Sequence, residues 1–412
     1  MNMSLTKILV VLLMLGIHSG LVYSFLSTTT TTYCQDIGLS ISVIGFLSIK
    51  TIPYSLKCLW SPLIDNYNIK LFSSNYDIKK FWMLCMQFLL CVFIGAFGYI
   101  ITSDNLYFLT IYLIAIGFFG ATYDIAMEAY RIELLTQINI VGIGNIIIIY
   151  GFRIGYAIST IFCLYLSTII EWRYVCIILS LFILLSMVST YFAPHNNKTK
   201  LSEEHINCKK YSIYDFIVPI QSLANIPNFK LIIMIISFYK ISDIYLDNLS
   251  IPFLMHIGFS KNAIAGVAKL SSALGTIIGT CVGSIYISKN KFKYSLFFAG
   301  ILSSVTNLQF LLFIKMKKSL AVLAIIHFIE SISYGISNIT FISYASSLCH
   351  KKYIATHYSI LISLSSLTRL LLSPTSGIIV KNFGWQNFFI VSSLFFIPSL
   401  LCIILLYWNT ES

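Results

Sequence analysis

Long, nearly uninterrupted apolar runs fill this chain, and they leave few folds open. A stretch of roughly 20 apolar residues matches the ~30 Å hydrocarbon core of a bilayer at about 1.5 Å of rise per residue. Twelve such runs can be read, at about 8–32, 41–63, 81–101, 106–131, 141–169, 174–193, 229–255, 261–287, 294–314, 319–348, 354–380 and 387–408. The runs are continuous in their hydrophobicity. The strands of a membrane barrel would instead alternate apolar and polar every second residue. Only 10% of the 412 residues are charged and 58% are hydrophobic, whereas a soluble domain carries about 25% charge. The expected fold is therefore all-α and polytopic, with twelve transmembrane helices. The first run follows a short tail bearing Lys7. It is too long for a signal peptide and reads as an uncleaved span.

The chain also reads as two halves. Residues 1–193 and 229–412 each hold six spans, and 194–228 forms the one long polar stretch between them. Part of that linker has helical periodicity that suits an interfacial helix, although a plain tether fits equally well. Ile37-Gly38-Leu39-Ser40 recurs as Ile257-Gly258-Phe259-Ser260. Trp172 precedes Ser180-Leu181-Phe182 by the same interval that separates Trp385 from Ser393-Leu394-Phe395. Two matches at nearly one offset, in corresponding spans, point to a parallel six-plus-six repeat, an architecture that places a substrate site at the midplane between the halves.

Lysines and arginines in the connections orient the chain. One lies at Lys7, three in 64–80, one at Arg131, four in 194–228, three in 288–293 and two in 349–353, which puts 14 on the side of the termini. The other side holds Arg173, Lys261, Lys315, Lys317, Lys318 and Lys381, 6 in all. The positive-inside rule then places both termini and the linker in the cytoplasm. The net charge of +12 is accounted for by this topology, so no nucleic-acid partner is expected. The cysteines show no metal-like spacing and no glycine loop for phosphate or nucleophile elbow stands out. A transporter is expected, without a metal or cofactor and monomeric. A passive channel, a solute sensor or a membrane-embedded transferase are the other classes to separate.

Ionisable groups inside spans mark the working faces, because each costs ~3 kcal/mol or more at the bilayer centre. Lys50 and Lys57 lie seven apart around Pro53, and Lys269 corresponds to Lys50 in the repeat. Asp124, Glu128 and Arg131 share one face of the fourth span at i, i+4 and i+7. Arg153 and Arg369 occupy the fifth and eleventh. The seventh carries Lys240 and Asp243 in one stripe, and the tenth Glu330 and Tyr334 in another. Lys50, Lys269, Arg153 and Arg369 have no acid close by on their own helices. They are candidates for binding an anionic solute, with Tyr123, Tyr239 and Tyr334 as aromatic partners. Asp124, Glu128, Glu330 and Asp243 are candidate proton carriers, and Asp65 and Arg131 candidate gating residues. Lys240 with Asp243, and Glu128 with Arg131, are equally readable as structural ion pairs.

Several of these motifs occur together in one family. Pro53-Tyr-Ser-Leu-Lys57 leads into Leu59-Trp60-Ser-Pro-Leu-Ile-Asp65, and Asp124-Ile-Ala-Met-Glu128-Ala-Tyr130-Arg131-Ile-Glu133 follows. Then come Tyr239-Lys240-Ile-Ser-Asp243, Tyr344-Ala-Ser-Ser-Leu-Cys349, Ala355-Thr-His-Tyr358 and Arg369-Leu-Leu-Leu-Ser-Pro374. From about residue 12 to residue 400 the chain resembles the AmpG muropeptide permeases of the major facilitator superfamily. The second-span motif also resembles the related acetyl-CoA transporters. The first resemblance implies proton-coupled import of anhydromuropeptides, fragments of peptidoglycan turnover, across a bacterial inner membrane. The second makes acetyl-CoA or another anionic metabolite the alternative. The chain departs from the permease pattern at Tyr123 and His357, where that family has Gln, and at Glu128, where it has Asp.

Overall fold

Helix ends and breaks, more than helix faces, carry the architecture of this chain. The computed structural model describes residues 5–39, 43, 47–66, 77–100, 105–138, 141–194, 214–260, 263–289, 292–315, 318–372 and 375–411. Its elements are α1 (Leu5–Asp36), α2 (residues 47–66), α3 (Ile78–Ile100), α4 (Leu106–Gln137), α5 (residues 141–167), α6 (Trp172–Tyr191) and α7 (Tyr214–Ala224). They continue with α8 (residues 229–257), α9 (Gly266–Ser288), α10 (Tyr294–Ile314), α11 (Leu320–Ser347), α12 (Ile354–Leu372) and α13 (Thr375–Leu406). No strand occurs among the described residues. Residues 195–213 of the expected linker lie outside them.

Nine of these helices are long and apolar enough to cross a membrane: α1, α3, α4, α5, α6, α9, α10, α11 and α13. The second, seventh and eleventh expected spans take a different form. α2 is a chain of short turns, with 3₁₀ segments at Leu47–Thr51 and Lys57–Leu59 on either side of the Pro53-containing turn Ile52–Leu56. Pro53 sits in the first turn of that segment, where its missing N–H costs no helix bond, and it separates the turn from the 3₁₀ segment before it. α8 breaks into Phe229–Phe238 and Ile241–Ile257, and Lys240 sits as the N-cap of the second piece. α12 stops at Leu372, ahead of Pro374 in the sequence, so the tail of the eleventh expected span belongs to α13. α13 is kinked at Gly384, which has φ 77°.

The chain divides into two compact units. Unit 1 comprises Met1–Gln221 with Cys349–Ile360, and unit 2 comprises Ser222–Leu348 with Leu361–Ser412. Within each, glycines let helix backbones touch. A Cβ on Gly20 would fall 1.9 Å from the Phe152 carbonyl oxygen, and one on Gly155 would fall 1.9 Å from that of Ile17. With Gly16 and Gly151 one turn away, α1 and α5 pack as a small-xxx-small pair, the geometry that brings membrane helices together where water supplies no driving force. In unit 2, Gly279 of α9 meets the Ile332 carbonyl of α11 in the same way, at 2.1 Å. The helix faces turned away from these contacts are apolar and exposed. On α6 they run through Leu181, Leu184, Leu185 and Val188, at i, i+3, i+4 and i+7, which is a lipid-facing stripe.

The repeat seen in sequence has a structural counterpart. α1 and α8 both end on a left-handed glycine, Gly38 at φ 81° and Gly258 at φ 95°. In each, the next residue's N–H reaches back five residues: Leu39 to Cys34 and Phe259 to Leu254, both at 3.0 Å. This is the Schellman closure, which satisfies carbonyls that a helix end leaves open. A tryptophan then packs near each cap. Trp172 lies over Tyr33 (5.5 Å) and donates to Asp36 (2.9 Å). Trp385 lies over Phe253 (5.0 Å) and His256 (5.7 Å). The paired positions 33/253 and 36/256 follow the offset of the two glycines, so one local design is used in both units.

Candidate functional site

In unit 1 the polar side chains gather along α4. Asp124 is half-buried, accepts a hydrogen bond from Ser19 Oγ of α1 at 2.6 Å and lies in the electrostatic field of Lys57 on α2. One turn earlier, Gly120 leaves the space into which the Tyr54 hydroxyl fits; a Cβ there would come within 2.3 Å of it. Tyr54 in turn meets Tyr23 edge to face at 5.3 Å. One turn later, Glu128 accepts from Arg131, with Oε2 2.6 Å from Nε and 2.5 Å from Nη2. The Arg131 guanidinium is buried, also donates to Asn145 of α5 and lies 5.5 Å from the Tyr358 ring centre. Glu128 and Arg131 thus form an ion pair in which Asn145 also engages the guanidinium.

The cations singled out in sequence have unlike surroundings. Lys50 is buried and donates to the hydroxyls of Thr30 (2.6 Å) and Thr31 (3.3 Å) on α1. Arg153 is half-buried on α5. Lys269, at the start of α9, and Arg369, in the last turn of α12, are exposed. His327 of α11 lies within the electrostatic field of Lys269. Tyr123 and Tyr239 are buried packing groups within their units. Tyr123 donates to the Leu15 carbonyl at 3.2 Å and lies 4.1 Å from the His18 ring. Tyr239 donates to the Leu296 carbonyl at 3.3 Å and stacks on Phe341.

In unit 2 the break in α8 brings Lys240 to Asp243 at 2.9 Å, and Ser303 of α10 donates to the other carboxylate oxygen. Lys240 Nζ also lies 4.5 Å from the ring centre of Tyr334 on α11, within cation–π range. One helical turn before Tyr334, Glu330 is half-buried and accepts from Ser331 at 3.0 Å. Lys240 and Asp243 thus form a buried ion pair braced by the Ser303 hydroxyl and the Tyr334 ring.

Asp65 lies in a different setting, at the end of α2. Its carboxylate accepts from the backbone N–H groups of Ala355 (3.1 Å) and Thr356 (2.8 Å) and from the Thr356 hydroxyl (2.7 Å). These donors open α12, where the first N–H groups have no partner within the helix and the dipole favours an anion. Asp65 thus caps a helix from a distant part of the chain. Burial holds its pKa above the usual aspartate value, with the Thr356 and Ala355 bonds and Lys79 opposing the rise. Next to the cap, His357 is buried and both ring nitrogens are engaged. Nδ1 accepts from the His350 N–H at 3.1 Å, and Nε2 is 3.0 Å from the Pro219 carbonyl oxygen of α7. A carbonyl can only accept, so Nε2 carries the proton and the ring is neutral.

Ser19, Tyr54, Asn145 and Ser303 are site neighbours that the sequence reading did not select. A neutral serine or tyrosine in a span resembles many others that pack. Only the fold puts these against carboxylates and a guanidinium. The charged stripes themselves were legible from spacing.

Comparison with known proteins agrees with this construction. The sequence profile of the Major Facilitator Superfamily matches residues 12–373. A Rickettsia felis protein named "Putative transporter AmpG 4" is 32% identical over 405 residues, covering 96% of this chain and 95% of that protein. "Putative transporter AmpG 1" of Rickettsia bellii is 26% identical, covering 97% of this chain and 98% of that one. Among solved structures, the human organic anion transporter MFSD10 (TETRAN) superposes with a TM-score of 0.73 over 98% of this chain at 13% identity. That last likeness is one of fold.

Proposed function

We propose that this chain, which belongs to the Major Facilitator Superfamily and is a multi-pass membrane transporter, imports anhydromuropeptides or closely similar anionic sugar–peptides by proton symport. Two lines support the reading. Relatives bearing the AmpG name align along nearly the whole chain. The observation that carries the proton assignment is the setting of Asp124, a half-buried carboxylate on a membrane helix bonded to a hydroxyl. Glu128 and Asp243 are instead each committed to an ion pair with a basic side chain. The Ser19 hydroxyl can reorient to serve either form of Asp124, since it both donates and accepts.

Substrate carboxylates fall to the cations, with Lys50 and Arg153 in unit 1 and Lys269 and Arg369 in unit 2. Aromatic faces such as Tyr23 and Tyr54 suit sugar rings. Asp65 serves as the latch of the cycle. It holds the start of α12 while the carboxylate is ionised and releases it when the cap is lost. Both termini lie in the cytoplasm of a bacterial inner membrane in this reading, which the distribution of loop lysines supports.

The deciding measurement is uptake of a radiolabelled anhydromuropeptide into proteoliposomes under an imposed inward proton gradient, with acetyl-CoA and nucleotides as competitors. Concentrative uptake that collapses with a protonophore is expected. Equilibration without accumulation would favour a passive pathway. Competition by acetyl-CoA alone would move the substrate to the anionic-metabolite alternative.

A further inference from the structure

The helix between the halves has two faces that do different things. On α7, Pro219 and Leu223 are buried, four residues apart on one side. Ile217, Val218 and Ile220 are 38%, 41% and 51% exposed. Three branched apolar side chains within one turn need a non-aqueous neighbour. Position supplies one. From Ala224 to Phe229, the first residue of α8, the chain closes through two tight turns, Leu223 O to Ile226 N (3.2 Å) and Ile226 O to Phe229 N (3.1 Å). Even fully extended, those five steps span only about 17 Å. The tether keeps the end of α7 close to the start of α8, the seventh expected span. Basic residues flank it in sequence, Lys209 and Lys210 before and Lys230 after, a pattern that suits lipid phosphates.

The buried face holds something specific. The Pro219 carbonyl accepts the His357 Nε2–H at 3.0 Å, and His357 follows directly on Thr356, the residue capped by Asp65. His357 Nδ1 closes the turn from His350. The segment Cys349–Ile360, which packs with unit 1, is thus tied at one point to α2 and at the next to α7.

We propose that α7 lies in the headgroup–acyl boundary with Ile217, Val218 and Ile220 in lipid, and that in this seat it latches the 349–360 segment through the His357–Pro219 hydrogen bond. Lipid contact and the order of that segment are then linked. Loosening α7 from the membrane loosens His357, and the Asp65 cap is left to hold α12 alone. The latch is independent of which solute is carried.

Two measurements test it, neither requiring transport. The first places single nitroxides at 217, 220 and 221 in protein reconstituted into phosphatidylcholine–phosphatidylglycerol nanodiscs. Labels at all three positions, which lie on the exposed side of α7 opposite Pro219 and Leu223, should collide with oxygen in preference to a water-soluble nickel chelate. Aqueous accessibility at all three positions would overturn the lipid seat. The second follows maleimide alkylation of Ser359→Cys, a buried position in the latched segment, in a background lacking other cysteines. His357→Phe, and separately Ile217→Asp with Ile220→Asp, should each speed alkylation by about five- to tenfold, the worth of a buried hydrogen bond. His357→Gln, whose amide N–H can still reach the carbonyl, should restore the slow rate. The aspartate pair leaves the His357 site itself intact, so it decides the matter should the phenylalanine variant fail to fold. Alkylation unchanged in the aspartate pair would overturn the link between lipid and latch, and an unchanged rate in a folded His357→Phe would overturn the latch.

Discussion

Asp124 and Lys50 show how differently two polar residues within the helices are held. Asp124 is bonded to Ser19, and Asp124→Asn removes the titratable group while keeping an acceptor for that bond. Gradient-driven accumulation should be lost, while counterflow exchange of preloaded substrate persists; accumulation that survives would assign the proton elsewhere. Lys50 is buried with two threonine hydroxyls. Lys50→Ala should raise the apparent KM for an anionic substrate by about tenfold or more, since a charge-assisted contact is worth roughly 1.5–3 kcal/mol. Lys269 is exposed and more strongly screened, so Lys269→Ala should have the smaller effect. Initial-rate uptake over a range of substrate concentrations compares the two. At Asp65 burial raises the pKa, so the carboxylate takes up a proton above the usual aspartate range. The protonated acid is a weaker acceptor for the three donors of α12, and the cap loosens as pH falls on that side. A nitroxide at the exposed Lys352 position should become more mobile on acidification. In Asp65→Asn it should be mobile throughout, with no pH dependence.

At the level of elements, close helix contacts and broken helices divide the work. α1 and α5 touch backbone to backbone through Gly16, Gly20, Gly151 and Gly155, and this contact positions Ser19 and Arg153. Gly155→Val would drive a side chain into the Ile17 carbonyl, an overpacking that costs about 1–3 kcal/mol or more. The variant should unfold at a lower temperature in detergent, as read by loss of the monodisperse size-exclusion peak on heating; an unchanged transition would show that the helices part freely. Both helices also widen to a π-turn at the same level, Phe25–Thr29 and Ile158–Phe162, joined by Ser24–Thr160 (2.6 Å) and Thr29–Ser159 (3.1 Å) hydroxyl bonds. The breaks in α2 and α8 fall where Lys50, Lys57 and Lys240 lie.

For the whole molecule, the division into two units around a local repeat matches a transporter that works by alternating access. The proposed orientation, with both termini in the cytoplasm, rests on loop charge and has its own check. Single cysteines at 200 and 411, in a cysteine-free background, should resist a membrane-impermeant thiol reagent applied to intact cells and react once the membrane is opened. Labelling of either from outside would overturn this orientation.

Much of this protein was written in the sequence alone. Run lengths and the scarcity of charge determined a helical membrane fold, because a bilayer sets the length of any apolar segment that crosses it. The Ile-Gly-x-Ser repeat was legible because a left-handed residue at a helix end requires glycine. Charged residues stood out in the spans because lipid makes them costly. Tertiary structure decided the rest. Which lysine is buried and which exposed, that Glu128 and Asp243 are paired while Asp124 meets a serine, and that Asp65 caps a helix some 290 residues away all depend on contacts between helices. Periodicity along one helix gives the face a side chain occupies. Only packing supplies the neighbour that faces it, and that neighbour decides whether a charge is structural or free to act.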